Sequence, residues 1–240
     1  MTRLFYTLAL HLLLPGAVLH LLWRARRQPQ YLRHWGERFG FHRIRTTQPV
    51  IWVHAVSVGE TRAAQPLIAA LRERHPDRRI LITHTTPTGR AISEALFGDA
   101  VTRAYLPYDL PWAVRRFLRH FRPAIGIVME TELWPNLVAA CRDMAIPLLL
   151  VNARLSEKSA RRYARFSRLT RQTLSGFAAI AAQGAEDAQR LKRLGAAQVE
   201  VFGNLKFDIA PAADLPDFRA LIGSRPVFLC ASTREGEEAP

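Results

Sequence analysis

Residues 124–129 read AIGIVM and residues 147–151 read PLLLV, so neither stretch contains a charged side chain or a side chain that forms hydrogen bonds. Strands that are covered on both faces of a parallel sheet carry apolar side chains at every position, because neither face meets water. The two stretches therefore predict central strands of a parallel sheet. Parallel neighbours are joined by crossover connections, so helices are expected between them.

Segments of strand length and segments of helical period alternate along most of the chain. The predicted strands are residues 50–54, 79–83, 101–106, 124–129, 148–151, 178–182 and 199–201. The predicted helices are residues 63–75, 90–97, 112–120, 137–144, 159–174 and 185–194. This alternation predicts an α/β fold with a Rossmann-like, doubly wound parallel sheet. Ligands of such sheets bind beyond the carboxyl ends of the strands, so the loops there are the candidate binding positions.

The amino terminus carries an apolar segment at residues 4–23, about as long as a helix that crosses a bilayer. We expect a membrane-anchor helix here. His11, His20 and the Pro15-Gly16 pair weaken a full span, so a tilted or half-inserted helix stays open. A cleaved signal peptide is disfavoured, because an arginine-rich stretch follows where a cleavage site would need small residues. That stretch indicates that the chain after the helix lies on the cytoplasmic side; its cations are Arg24, Arg26, Arg27, Arg33 and Arg38.

The composition is that of a globular protein with an excess of cations. Hydrophobic residues make up 49% and charged residues 22% of the 240 residues, which excludes wholesale disorder. The net charge is +14 and lysine occurs only at positions 158, 192 and 206, so arginine supplies most of the charge. Arginine suits phosphate-bearing partners. Nucleic acid is disfavoured, because cations and aromatic residues do not alternate on one face. Cys141 and Cys230 are expected to be buried thiols, without a disulfide.

Two loops after predicted strands carry polar groups in front of a helix. The loop HAVSVGE, residues 54–60, places Ser57, Gly59 and Glu60 there. Gly59 permits close approach of a ligand, and a helix dipole favours the ionised carboxylate of Glu60. The alternative is that Glu60 only caps the helix. The loop HTTPTG, residues 84–89, contains Thr86; it is either an anion site or a plain turn with an N-cap, and the lysine of a nucleotide triphosphate loop is absent.

Three further loops carry charged residues. In METELWPN, Glu130 and Glu132 directly follow an apolar strand, and on a strand-like path residues i and i+2 face the same side. Both carboxylates are therefore expected to point into one cleft, either as a catalytic pair or as ion-pair partners. Arg154 lies in NARLS, and GNLKFD contains Asn204 and Lys206. Lys206 is either a compact charge at a specific place or a solvated surface lysine.

These strings, in this order, resemble the Kdo (3-deoxy-D-manno-octulosonic acid) transferases of Gram-negative bacteria. The similarity covers the chain from about residue 4 to its end, and it includes RHWGERFGF, WVHAVSVGE, YLPYDLPWAVRRFL, METELWPN, NARLSEKS, GNLKFD and STREGEE. The resemblance implies a GT-B glycosyltransferase of lipopolysaccharide biosynthesis at the inner membrane. Its amino-terminal domain takes a lipid A precursor, its carboxyl-terminal domain takes CMP-Kdo, and transfer proceeds with inversion and without a metal ion or other cofactor.

The resemblance also implies roles for individual residues. Glu60 matches the general base, and Glu130 and Lys206 match residues that stabilise the transition state. The loops around them supply the candidate substrate-binding residues Ser57, Gly59, Thr86, Glu132, Arg154 and Asn204.

The apolar amino terminus, a stretch with prolines and scattered acids, and the new apolar stretch 227–231 divide the chain into four predicted parts, whose domain roles are those that the resemblance implies. Residues 1–27 are the anchor helix and its basic flank, 28–206 the acceptor-binding domain, 207–225 a linker, and 226–240 the first strand and loop of a truncated donor-binding domain. We expect such a fragment to be inactive without its donor domain. Arg234 stands where the family pattern has histidine. The alternative interpretation is a non-catalytic, membrane-associated lipid-binding module.

Overall fold

The fold is built on a seven-stranded, fully parallel sheet. In a computed structural model that describes residues 2–44, 46–209 and 218–228, the strand order is β3-β2-β1-β4-β5-β6-β7. The strands are β1 (Val50–His54), β2 (Arg79–His84), β3 (Thr102–Tyr105), β4 (Pro123–Met129), β5 (Leu148–Ala153), β6 (Ala179–Ala182) and β7 (Val199–Val201). Each coincides with a predicted strand to within two residues, which confirms the α/β fold class.

Helices connect the strands, and several begin with proline, which fits the first helical turn because the N–H there needs no helical partner. The helices are α1 (Arg3–Arg27), α2 (Val58–Ala63), α3 (Gln65–Arg74), α4 (Pro87–Phe97), α5 (Pro111–Phe121), α6 (Pro135–Asp143), α7 (Glu157–Ala164), α8 (Ser167–Leu174) and α9 (Ala185–Arg193).

Two predicted helices are wrong in extent. The predicted helix 63–75 actually starts earlier, as α2, and continues as α3 after Ala64. The predicted helix 159–174 is divided into α7 and α8, because Phe166 leaves the helical region of backbone conformation. The hydroxyl of Thr170 donates a hydrogen bond to the carbonyl of Tyr163 at 2.9 Å and so satisfies an acceptor at the break.

The sheet separates two apolar layers, as the all-apolar strands predict. Trp52 of β1 packs with α5 and α6 on one face, and Ile51 and Val53 pack with α3 on the other. Gly126, at the centre of AIGIVM, makes room for the indole: a Cβ there would lie 2.7 Å from Cε3 of Trp52 and 2.6 Å from Leu148. The glycine in this apolar strand is therefore required by core packing.

The described residues up to Ile209 belong to one compact unit, and Ala210–Pro240 form a second unit. In the second unit the structure describes residues 218–228, which include the short helix α10 (Phe218–Ile222). The predicted linker 207–225 therefore contains a helical turn. Most of the predicted strand 227–231, and also Arg234 and Cys230, lie outside the described residues. The four-part division of the chain stays a prediction.

Candidate active site at the carboxyl edge of the sheet

The predicted catalytic residues lie in segments that directly follow strands at the carboxyl edge of one sheet. Glu60 follows β1, Glu130 follows β4, and Lys206 follows β7. Glu60 raises the pKa of Glu130 and Lys206 lowers it, so both charges lie close enough to Glu130 to act on it. The fold thus brings Glu60 and Lys206, which are 146 positions apart in the sequence, to the same edge of the sheet.

Glu60 is held by a capping arrangement at the start of α2. The side chain of Ser57 caps the helix by accepting a hydrogen bond from the Glu60 N–H at 3.2 Å. The Ser57 hydroxyl donates to Oε1 of Glu60 at 2.8 Å, and the Val56 N–H donates to Oε2 at 2.7 Å. The carboxylate is buried, with the residue 7% exposed. Ser57 is therefore the cap of the helix, Glu60 completes the capping arrangement, and the same contacts fix the carboxylate in one orientation.

A further set of contacts, from the β2–α4 loop, supports this segment. The ring Nδ1 of His84 lies 2.8 Å from the carbonyl of Ala55, and the Thr86 hydroxyl donates to the carbonyl of Val56 at 3.2 Å. Thr86 also accepts from the N–H of Gly89, which makes it the N-cap of α4. The plain N-cap interpretation of Thr86 is thus confirmed, and a substrate contact of Thr86 stays a prediction.

The two buried histidines at these strand ends are neutral at physiological pH. Burial lowers the pKa of His54 to about 3, and it lowers the pKa of His84 to about 4 although the Ala55 carbonyl opposes the shift. Sequence reasoning missed His84 as a support of the Glu60 loop. Its position at the end of an apolar strand, directly before the HTTPTG loop, was the available signal.

Gly59 is exposed beside Glu60, and the protein does not fill the space around it. A Cβ at this position would have Ser57 Oγ as its nearest neighbour, at 3.9 Å, and Gly59 does not adopt a positive φ. Neither packing nor backbone conformation of the described chain therefore requires glycine here. The prediction that Gly59 allows close approach of a ligand keeps its basis.

Glu130 turns the chain sharply at the end of β4. Its φ is +56°, in the left-handed region, and its N–H donates to the carbonyl of Val151 at 2.9 Å. The expected strand-like path through residues 130–132 is therefore wrong. Burial and the carboxylate of Glu60 raise the pKa of Glu130, while Lys206 and Arg154 lower it. The two acids still come together, but through a left-handed turn.

Glu132 completes a cluster of three carboxylates. Burial, first, and the neighbouring Glu60 raise the pKa of Glu132 to about 7, and Glu130 adds to the shift. A like charge nearby disfavours ionisation, so this carboxyl exchanges its proton near neutral pH. Near neutral pH, Glu132 can therefore donate a hydrogen bond as well as accept one. A role of Glu132 in binding substrate stays a prediction.

The loop that carries Lys206 is fixed to the neighbouring strand by an asparagine. Asn152, with a φ of +57°, accepts from the Leu205 N–H through Oδ1 at 3.2 Å, and its carbonyl accepts from Gln183 at 3.0 Å. Asn204 caps the 3-10 turn Leu205–Asp208 by accepting from the Lys206 N–H at 3.0 Å. The side chain of Lys206 is left exposed. Sequence reasoning missed Asn152, although it lies within the NARLS string.

Arg154 follows β5 and is exposed on the same edge of the sheet. Its charge lowers the pKa of Glu130, which places it near the carboxylate cluster. Its carbonyl accepts a hydrogen bond from the hydroxyl of Thr131, so the β4 and β5 loops are joined here. Within the described chain, no group of three or more His, Cys, Asp and Glu side chains is arranged to hold a metal ion.

Comparison with known proteins shows which sequence family the chain matches. Residues 33–209 match the family model described as 3-deoxy-D-manno-octulosonic-acid transferase (kdotransferase). The chain is 47% identical, over its whole length, to a 3-deoxy-D-manno-octulosonic acid transferase of Bordetella pertussis, and 37% identical, over 99% of its length, to that of Haemophilus influenzae. It spans 58% of the length of each of these relatives.

Solved structures of low sequence identity share the fold. A UDP-N-acetylglucosamine 2-epimerase superimposes with a TM-score of 0.52 over 74% of this chain and 55% of its own, at 13% identity. The enzyme of that name from Neisseria meningitidis, bound to UDP-GlcNAc, gives 0.50 over 67% of this chain and 48% of its own, at 16% identity. The likeness concerns the fold alone, and it fits one half of a GT-B-like architecture.

Proposed function

Because this chain belongs to the 3-deoxy-D-manno-octulosonic acid (Kdo) transferase family, we propose that it is the acceptor-binding half of an inverting glycosyltransferase. The whole enzyme transfers Kdo from CMP-Kdo to a hydroxyl of a lipid A precursor, in lipopolysaccharide biosynthesis at the cytoplasmic face of the inner membrane. Since the chain spans 58% of its relatives, the donor CMP-Kdo is assigned to the remainder of the enzyme. No metal ion or other cofactor takes part in the proposed reaction.

One observation carries the proposal: Glu60, Glu130 and Lys206 follow the carboxyl ends of β1, β4 and β7, and both Glu60 and Lys206 act on the charge of Glu130. Ligands of open α/β sheets bind at this edge. A carboxylate that is oriented by two fixed donors suits a base, and an exposed lysine suits anions. The donor sugar carries a carboxylate and its leaving group carries a phosphate, so Lys206 is well placed by its chemistry to stabilise negative charge.

In the proposed reaction, the acceptor hydroxyl oxygen attacks the anomeric carbon of Kdo while the bond from that carbon to the CMP phosphate oxygen breaks. CMP leaves with the electron pair, and Glu60 takes the proton of the attacking hydroxyl. Ser57 and the Val56 N–H each use one direction of a carboxylate oxygen, which leaves further lone pairs for this proton. Glu130 holds Lys206 in place or faces the developing positive charge of the sugar ring.

The test is Kdo transfer by the full reading frame that contains this chain, with Glu60→Gln compared with Glu73→Gln on the exposed side of α3. Glutamine keeps one acceptor oxygen for the two groups that donate to Glu60, the Ser57 hydroxyl and the Val56 N–H, but cannot act as the base. Turnover should therefore fall about 100-fold or more, the size of a general-base contribution. The Glu73 variant should retain parental turnover. Parental turnover by the Glu60 variant, with unfolding unchanged, would remove the base assignment.

The alternative function is that of a non-catalytic lipid-binding module. Lipid binding and Kdo transfer, measured for the 240-residue chain and for the full reading frame, distinguish it from an enzyme. The 240-residue chain alone is expected to bind the lipid A precursor without transferring Kdo, because a GT-B enzyme reacts its substrates between two domains. Transfer by the longer reading frame identifies an enzyme. If the longer product binds lipid and also fails to transfer Kdo from CMP-Kdo, the module interpretation is the correct one.

A further inference from the structure

The long apolar helix α1 is attached to the sheet domain near its first turn. The Tyr6 hydroxyl donates to Oδ2 of Asp109 at 3.0 Å, and the Thr7 hydroxyl donates to Oδ1 of Asn136 at 3.0 Å. Asp109 also accepts from the N–H groups of Asn136 and Leu137, and so caps α6. Burial raises the pKa of Asp109 to about 6, although these donors favour its ionised form. This end of α1 is thus bonded to a buried polar network.

The other end of α1 is also attached to the domain. Leu21 and Ala25 are buried against Tyr31, which is 5% exposed. The guanidinium of Arg38 lies 6.0 Å from the Tyr31 ring and 4.2 Å from the ring of Tyr105 in β3, and it donates to the carbonyl of Thr85 at 3.0 Å. A chain of contacts therefore connects the last turns of α1 to the sheet.

The two attachments decide how the helix can meet a bilayer. Tyr6 and Ala25 are 19 residues apart, or about 28 Å along a helix. That distance is close to the thickness of the hydrocarbon core, about 30 Å. A helix that crosses the bilayer cannot keep both attachments unless the polar domain enters the hydrocarbon. A helix that keeps both attachments therefore runs along the domain and does not cross the bilayer.

The face of α1 that points away from the domain is mostly apolar and is interrupted by exposed His11 and His20. Its side chains follow helical spacing, and the exposed fraction is 82% for Leu12 and 67% for Leu19. Only 6% of the most apolar 18-residue segment of α1 is buried in the protein. An exposed apolar surface of this length is typical of a site that binds another molecule or a membrane. The large apolar side chains that α1 exposes are Leu4, Phe5, Leu8, Leu12, Leu13, Leu19, Leu22 and Trp23.

Beside α1, one face of α5 carries cations and an aromatic ring at helical spacing: Trp112, Arg115, Arg116 and Arg119. These residues and His11 of α1 line an open cavity of about 780 Å³. Arg115 pairs with Asp143 at 3.1 Å. In the part of the chain that the structure describes, Arg116 and Arg119 have no acidic partner, and the Arg116 guanidinium lies 4.0 Å from the exposed ring of Phe41.

The first acidic residue of the sequence is Glu37, so α1 and the residues that directly follow it carry positive charges without a negative one. Positive charge and apolar surface therefore occur together there. Tryptophan and arginine beside an apolar face are the side chains of a bilayer interface, where rings lie among the headgroups and cations meet anionic lipid. Exposed Trp35 and Trp112 both contact Phe39, which extends the aromatic surface.

We propose that α1 does not cross the membrane but lies in its plane, with its outer apolar face in the bilayer interface and Arg116 and Arg119 of α5 on anionic phospholipid headgroups. The contact holds the carboxyl edge of the sheet at a fixed height above the lipid surface. It rests on the membrane location in the proposed function but not on the sugar chemistry. Its tests contain no sugar donor and no acceptor, so they succeed or fail apart from the transferase assignment.

The first test measures binding of the whole chain to vesicles of phosphatidylethanolamine and phosphatidylglycerol. The variant Arg116→Gln/Arg119→Gln is compared with Arg72→Gln/Arg74→Gln, which removes the same charge from α3 on the opposite face of the sheet. Each interfacial cation contributes about a fivefold factor, so the α5 variant should bind about 25-fold more weakly and the α3 variant like the parent. Equal binding by the two variants, or a dimer that ignores vesicles, overturns the proposal.

The second test locates the amino terminus in cells. Thr2→Cys is made in a chain with Cys230→Ser, and Cys141 is buried and does not interfere. A membrane-impermeant maleimide is added to spheroplasts before and after lysis. An in-plane helix keeps residue 2 on the side of the domain, so labelling is expected only after lysis. Labelling of intact spheroplasts means that the helix crosses the bilayer, and the proposal is then wrong.

Discussion

Replacement of Glu132 by glutamine should change how stability depends on pH. The folded protein raises the pKa of Glu132 from 4.5 to about 7, chiefly through burial and secondly through Glu60. A carboxyl whose pKa is raised on folding contributes stability below its unfolded pKa, and this contribution is lost as pH rises through the folded value. The parent should therefore lose stability between pH 4.5 and about 7 as Glu132 ionises.

The size of the effect follows from the shift. At about 1.4 kcal/mol per pKa unit the upper limit is about 3 kcal/mol, and partial exposure of the side chain reduces this to about 1–2 kcal/mol. The amide introduced by Glu132→Gln does not ionise, so this variant should be more stable than the parent by about 1–2 kcal/mol at about pH 8 and equal to it near about pH 4.5. The exposed Glu73→Gln change should not alter the curve.

The assay is urea unfolding, followed by circular dichroism, at a series of pH values for the parent and both variants. The difference between parent and Glu132→Gln should grow from about pH 4.5, the unfolded pKa, and level off above the folded pKa of about 7. A difference that is constant over the whole range would show that the Glu132 carboxyl does not titrate near neutrality. The carboxylate cluster would then not impose the like-charge repulsion inferred from the structure.

Three further predictions concern single residues. Gly59→Ala should leave the free energy of unfolding within about 1 kcal/mol, because the atom nearest to its Cβ is Ser57 Oγ at 3.9 Å, an ordinary contact distance. The same change should lower transfer by the full reading frame about 10-fold or more if ligand approaches there, and parental transfer excludes that approach. Gly126→Ala should destabilise the protein by about 1–3 kcal/mol in urea unfolding, because its Cβ overlaps Trp52 and Leu148. The control Gly16→Ala, whose Cβ has no atom within 4 Å, should not destabilise it. Equal unfolding midpoints for the two variants contradict the packing argument. Asp109→Ala should cost about 2–5 kcal/mol, because two N–H groups of α6 lose their acceptor, and a smaller loss means that water replaces the carboxylate.

The sheet could be predicted because its central strands are apolar at every position. AIGIVM and PLLLV have one physical explanation, burial on both faces, and the strands appear where those letters stand. The break between α7 and α8 could not be predicted, because it depends on a backbone conformation at Phe166 and on a hydroxyl of Thr170 that satisfies the freed carbonyl. Helical period alone does not report such local exchanges of hydrogen bonds.

The candidate site could be predicted in its residues but not in its geometry. The polar loops at strand ends predicted the positions of Glu60, Glu130 and Lys206, since parallel strands end at one edge. The left-handed turn at Glu130 and the support from Asn152 depend on contacts between strands that are distant in the sequence. Local sequence patterns do not predict such contacts between distant residues. Their catalytic roles come from the family resemblance and stay predictions.

The attachment of α1 to Asp109 has a practical consequence for protein production. An apolar leading helix is an obvious segment to delete when a soluble product is wanted. Deletion here would take the Tyr6 hydroxyl from a buried carboxylate, uncover Tyr31, and leave the cap of α6 with one donor fewer. The shortened protein would gain solubility at the expense of its own core. Lipid-like additives that cover the outer face of α1 preserve the domain better than deletion of the helix.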